Sequence, residues 1–213
     1  TGNMVQSNAI SNAFREALNV PTWIVGVILA LVAAFIFLGG VTRIASVTEK
    51  LVPIMAAFYL VGGLVLLIAN ITALPNALRM IVVGAFDPQA IVGGAAGIGV
   101  REAMRFGVAR GLFSNEAGMG STPHAHAMAK VAKPQDQGIV AMICVFIDTF
   151  IVLTMTALVM LTSGALNVNN MAENPAAENM AQVAFTTVFQ GFGNLYVAIC
   201  LLFFAFSTVI GWY

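Results

Sequence analysis

Four stretches of the chain stay apolar long enough to matter: about 23–41, 51–74, 138–163 and 194–213. The first reads Trp-Ile-Val-Gly-Val-Ile-Leu-Ala-Leu-Val-Ala-Ala-Phe-Ile-Phe-Leu-Gly-Gly-Val, with no charge and no period-two alternation. Crossing a bilayer as a helix takes roughly 20 such residues. Pro21 precedes this run and Pro53 stands near the start of the second, positions where a missing N–H costs a helix little. The third run carries one carboxylate, Asp148, and the fourth is still apolar at Tyr213.

The region 88–131 breaks the pattern. It is apolar but crowded with small residues (Gly93, Gly94, Gly97, Gly99), then charged (Arg101, Glu102, Arg105, Arg110), then rich in turn formers. Gly118, Gly120 and Pro123 predict that the backbone unwinds there. Loop charges predict the orientation. Arg43 and Lys50, and again Lys130 and Lys133, mark cytoplasmic loops, whereas 167–181 carries only Glu173 and Glu178 and reads as external. Arg79, in an outer loop, is a mild exception. For these sides to alternate, the 88–131 region must itself cross once. The expectation is an all-α, polytopic membrane helix bundle: one transmembrane domain over 1–213, incomplete at both ends, with about five crossings and one of them broken.

Composition sharpens this. Sixty per cent of the residues are hydrophobic, 8% are charged and the formal net charge is zero. Soluble domains carry about a quarter charged residues, so membrane lipid is the natural partner of this surface. Nucleic acid is not, for lack of a basic footprint. Cys144 and Cys200 lie inside apolar runs and read as small packing residues. Thr1 opens without the charged start and apolar core of a signal peptide, and the C-terminal run has no helix stop, so both ends read as cut from a longer protein.

Irregular backbone survives at membrane depth only where protein buries it or a cavity needs it. Transporters use such breaks, binding a carboxylate at positive half-helix ends and a cation at exposed carbonyls. Phe113, Ser114, Asn115, Glu116 and Gly118 place hydroxyl, amide and carboxylate beside glycine at the break; a purely structural re-entrant loop is the plainer reading. Asp148, near mid-span with Thr149 beside it, needs a partner, an ion or a proton. It reads equally as part of a cation site or as a hydrogen-bonded brace. Ser207 and Thr208 offer hydroxyls beside helix carbonyls, which suits Na⁺, although such residues commonly bond back into their own helix. Thr208 and Trp212 share a helix face. Asn3 and Gln6, with Ser7 and Asn8, form a polar patch suited to a pocket. Several patterns are decoys. Gly97-Ile-Gly99 lacks the rest of a dinucleotide fingerprint. Ser114, His124 and Asp148 have the types of a catalytic triad but no nucleophile elbow. His124 and His126 stand about 200° apart on a helix, unsuited to sharing a metal, and Asn70-Ile-Thr72 is a glycosylation sequon inside a span.

The string Gly107-Val-Ala-Arg-Gly-Leu-Phe-Ser-Asn-Glu-Ala-Gly-Met-Gly-Ser-Thr-Pro-His-Ala-His-Ala resembles the signature of the alanine or glycine:cation symporters, also called sodium:alanine symporters. Thr1-Gly-Asn-Met-Val-Gln, Phe146-Ile-Asp-Thr and Phe206-Ser-Thr-Val-Ile-Gly-Trp-Tyr are similar to that family in the same order, so the likeness covers essentially the whole chain. The resemblance implies part of the inverted-repeat, LeuT-like fold of the amino acid–polyamine–cation superfamily, with a discontinuous helix whose symmetry mate lies upstream. It implies a secondary symporter in a bacterial or archaeal cell membrane, importing alanine- or glycine-type amino acids with Na⁺ as coupling ion, or H⁺ in some members, and no other cofactor. By motif, Gln6, Phe113, Ser114, Asn115, Glu116, Gly118, Thr208 and Trp212 would contact substrate. Ser207 with Thr208, and Asp148 or Thr149, would face Na⁺. An ion channel and an intramembrane hydrolase using Ser114 are the rival classes, and the oligomeric state stays open.

Overall fold

The computed structural model describes residues 2–86, 96–165 and 180–212. Among the described residues every regular element is helical. In chain order they are α1 (Gly2–Leu18), α2 (Thr22–Phe37), α3 (Gly40–Ala69), a 3₁₀ turn (Ile71–Ala73), α4 (Leu74–Phe86), α5 (Ala96–Ser114) and α6 (Ser121–Ala127). Then come α7 (Pro134–Phe146), a π-helical turn (Ile147–Leu153), α8 (Thr154–Thr162), α9 (Met180–Thr186) and α10 (Gly193–Gly211). The outer loop expected over 167–181 falls almost wholly outside these residues, as do 88–95 of the small-residue stretch.

Among the described residues three helices are long and apolar enough to cross a membrane: Gly40–Ala69, Pro134–Thr162, in which α7, the π turn and α8 run on without a stop, and Gly193–Gly211. The boundaries differ from those the hydropathy pattern predicts. The Arg43–Lys50 segment, expected as a loop, is the start of α3, and Pro53 lies inside that helix. No residue from Val41 to Lys50 breaks a helix, and Arg43 has a local task. Its guanidinium donates to the Phe35 carbonyl at 2.9 Å and lies 4.8 Å from the centre of the Phe35 ring. A cation thus satisfies the carbonyl end of α2, so α2 stops at Phe37 and α3 begins after a two-residue turn. The 30 residues of α3 span about 45 Å at 1.5 Å each. Only the part after Lys50 needs to lie in hydrocarbon. Its end comes at Ala69, where Asn70 turns its amide back to the Leu66 carbonyl at 3.1 Å.

The described structure divides into two compact units, residues 1–72 with 158–213, and residues 73–157. In the first, α10 is central and packs on α1, α3 and α9. Ile10, Val25 and Ala205 are buried together, flanked by Phe14, Leu29, Leu202 and Phe206. A second core is aromatic. Tyr196 stacks on Phe185 and Phe189 at 5.4 and 5.6 Å, and its hydroxyl donates to the Phe58 carbonyl. Its ring lies against Gly62, where a Cβ would collide with it. Away from this core, Trp23, Val27, Leu31 and Phe35 leave an exposed apolar stripe along α2, one helix face at i+4 spacing.

In the second unit α7 starts cleanly, with Pro134 in its first turn after an extended Lys133. From Pro134 to Leu158 no side chain is buried. Asp148 and Thr149 are nonetheless half-buried while the six residues before them are exposed, because the end of α5 lies against them.

Candidate functional site

Helix α5 ends in a turn whose backbone is fully bonded. The N–H of Asn115 donates to Gly111 at 3.1 Å, that of Glu116 to Phe113 at 3.2 Å, and that of Ala117 to Leu112 at 2.9 Å. The last two are the paired bonds of a Schellman motif, which puts its left-handed residue at position 116. Glu116 is there, with φ +50°, and Gly118 and Gly120 follow at +75° and +87°. For a residue with a Cβ that conformation costs about 1–2 kcal/mol. The two glycines carry the chain on through the non-helical residues 115–120 to α6.

Two neighbouring side chains at this helix end meet two neighbours on the π turn. Ser114 Oγ donates to Asp148 Oδ2 at 2.6 Å. The Asn115 amide donates to Thr149 Oγ1 at 3.3 Å and to the Gly111 carbonyl at 3.1 Å. A carboxylate in mid-span requires donors, and Ser114 supplies one. The π turn, Ile147–Leu153, begins at the residue before Asp148. Such turns widen a helix by one residue and occur often at functional sites. Ser114, Asn115, Glu116 and Asp148 line one cavity of about 330 Å³, with His126 and Cys144. Gly118 lines a second, of about 450 Å³, together with Asn115 and Glu116. Phe113 contributes its carbonyl to the turn.

The triad decoy dissolves here. The Ser114 hydroxyl goes directly to Asp148 at 2.6 Å, with no imidazole between them. Among the described residues no group of three or more His, Cys, Asp or Glu could hold a metal ion. A Na⁺ site would instead draw on hydroxyl, amide and carboxylate oxygens, of which this helix end has several.

The first unit carries the other candidates. Ser207 Oγ and Thr208 Oγ1 both donate to the Phe204 carbonyl, at 2.8 and 3.0 Å. A hydroxyl that has given its proton to a carbonyl keeps lone pairs for a cation. Trp212 lies at the end of α10 against Gly2, where a Cβ would fall within its ring. Gln6 is half-buried on α1, next to Ser7, which with Gly26, Ala33, Phe206 and Val209 lines a cavity of about 120 Å³.

Sequence reasoning missed the pairing of Ser114-Asn115 with Asp148-Thr149, the hydrogen bonds of Ser121 and Thr122 to the Glu116 carboxylate and the place of His126 in the cavity wall. The only sequence signal for the first was two adjacent polar pairs in apolar surroundings. Nothing local distinguishes a π turn from an α-helix in Ile-Asp-Thr-Phe-Ile-Val-Leu.

A helical protein with helices long and apolar enough to cross a membrane, and one helix end broken by glycines beside a polar cluster, has the character of an integral membrane protein. The chain belongs to the sodium:alanine symporter family, whose family model matches residues 1–213. It is 42% identical over 217 residues, 99% of this chain, to an uncharacterized transporter of Haemophilus influenzae, of which it covers 46%. It is 39% identical to the sodium/alanine symporter AgcS of Methanococcus maripaludis, over 99% of this chain and 45% of that protein. It is 36% identical to the sodium/proton-dependent alanine carrier protein of Bacillus sp. (strain PS3), over 98% of this chain and 48% of that one. The chain thus spans somewhat under half the length of these relatives. The names of the family and of these relatives are those of transporters, not of enzymes.

Proposed function

We propose that this chain is part of a secondary symporter that imports alanine- or glycine-type neutral amino acids with Na⁺ across a bacterial or archaeal cell membrane. The observation that carries the reading is the family match over the whole chain, joined to a polar cluster where α5 ends. On this reading the fold of the whole protein is the LeuT-like inverted repeat, and the discontinuity between α5 and α6 is one of its two broken helices.

Both ends of a zwitterionic substrate lose water at mid-membrane, so each needs dipoles or ions already in place. In the second unit the stretch Phe113, Ser114, Asn115, Glu116 and Gly118 faces substrate, and Asp148 with Thr149 supplies oxygens to a cation. In the first unit Gln6, Thr208 and Trp212 contact substrate, and Ser207 with Thr208 supplies hydroxyl oxygens to Na⁺. Filling the cation position completes the substrate site, which couples the two. Each Na⁺ moving inward then contributes roughly 2.3 kcal/mol per 100 mV of potential.

The relative from Bacillus has both sodium and proton in its name, which favours proton coupling as the second reading. The test is uptake of labelled alanine by the full-length protein in proteoliposomes. Uptake that requires an inward Na⁺ gradient supports the reading. Uptake indifferent to Na⁺ but driven by a pH gradient replaces sodium with the proton. Alanine-independent cation flux would make it a channel, and no uptake of any small amino acid would overturn it.

A further inference from the structure

The turn that ends α5 is built around a residue of the wrong type for its backbone. Its left-handed position ordinarily goes to glycine, yet Glu116 occupies it at φ +50°. Asn19 is the other non-glycine residue with positive φ among those described, and asparagine tolerates that region. Glutamate does not, and the backbone bonds of the turn, from 116 to 113 and 117 to 112, ask nothing of its side chain. A strained residue persists where surrounding structure holds it, and often where function uses it.

The carboxylate shows what the side chain is for. Its Oε2 accepts from Ser121 Oγ at 2.8 Å and from Thr122 Oγ1 at 3.4 Å. Both donors belong to the first turn of α6. Between them and Glu116 lie Ala117 to Gly120, including two glycines in left-handed conformation. The carboxylate is therefore a link between the two half-helices that runs outside the main chain.

We propose that Glu116 is a positioning residue. Its carboxylate ties α6 to the end of α5 across the break and sets their relative angle, so it acts on transport through the half-helices rather than by binding the amino acid. This rests on the transporter reading above and narrows one residue of it. Ser114 and Asn115, on the α5 side of the turn, remain as substrate-facing groups. In a carrier that alternates between two arrangements, a short charge-assisted link between half-helices governs how fast the site rearranges more than how tightly it binds.

The experiment measures initial rates of Na⁺-driven alanine uptake against alanine concentration, using the full-length protein in proteoliposomes. Four variants separate the roles. Glu116→Gly suits the left-handed backbone but lacks the link. Ser121→Ala/Thr122→Val removes the donors and leaves Glu116 in place. The third combines both changes, and Glu116→Gln keeps an acceptor oxygen without charge. The first two should each lower the maximal rate about tenfold, the loss of a charge-assisted hydrogen bond, while half-saturating alanine moves less than about twofold. The combination should fall no further, because one link cannot be cut twice, and Glu116→Gln should recover most of the rate. Amide exchange at residues 124–127, whose N–H groups bond within α6, should quicken in Glu116→Gly. Wild-type rates in Glu116→Gly, or in the Ser121/Thr122 variant, would overturn the inference. So would a large rise in half-saturating alanine in Glu116→Gln, which marks a carboxylate that reads the substrate. If the unaltered protein carries no amino acid, the transport reading falls, and amide exchange alone decides the link: unchanged exchange in Glu116→Gly overturns it.

Discussion

At the scale of single residues, the pairing of Ser114 with Asp148 makes the sharpest demand. A carboxylate within a span is tolerated only with donors or a cation beside it, and Ser114 approaches to 2.6 Å. Ser114→Ala should lower Na⁺-driven uptake by the full-length protein about tenfold, the scale of one hydrogen bond to a charged group. Asp148→Asn keeps an acceptor for the hydroxyl but removes the charge. It should raise the Na⁺ concentration for half-maximal uptake, again by about tenfold, with a smaller effect on half-saturating alanine. Equal Na⁺ curves for the two proteins would remove Asp148 from the cation site and leave it as a brace. Gly62 is a different kind of constraint. Tyr196 covers it, so Gly62→Val overpacks the aromatic core and should cost about 1–3 kcal/mol, measured as a lower midpoint of thermal unfolding in detergent.

At the scale of elements, the π turn is the feature whose removal is most informative. It adds one residue per turn to an otherwise regular helix from Pro134 to Thr162. Deleting Val152 removes the extra residue and should return the segment to α-helix with the residues after it in place, so that the change falls on the turn that carries Asp148 and Thr149. Helix content by circular dichroism should stay the same while alanine uptake by the full-length protein is lost. Retained uptake would mean that the π turn is incidental. The α2–α3 connection makes the complementary point. A basic side chain, Arg43, satisfies the end of one helix from the first turns of the next, so a segment that hydropathy reads as a loop is helix.

For the whole molecule, the family match and the exposed apolar faces lead to the same expectation. The 213-residue chain spans less than half of the relatives named above. Expressed alone, it should fractionate with membranes and resist carbonate extraction, yet give no alanine uptake, whereas the full-length protein should give uptake that rises with an inward Na⁺ gradient. A chain recovered in the soluble fraction would contradict the membrane assignment. A chain that transports unaided would show that these residues suffice.

Membrane class was legible in the sequence because it depends on sums over many residues. Long apolar runs interrupted by few charges are such sums, and among the described residues three helices are long and apolar enough to cross a membrane. The family string around Phe113–Gly118 and the glycines after it located the break as well, since left-handed backbone and turn chemistry are local properties. Helix ends were less legible, because Arg43 reaches Phe35 across a turn that no window of hydropathy contains. What only the tertiary structure decided were the partnerships: Ser114 with Asp148, Asn115 with Thr149, Tyr196 with the Phe58 carbonyl. Each joins residues at least 34 positions apart, and which of many polar groups meet depends on how helices pack, a long-range outcome that local pattern does not encode. The Glu116 link lies between. Its three residues fall within a stretch of seven, but only the backbone angle at 116 turns that carboxylate toward α6.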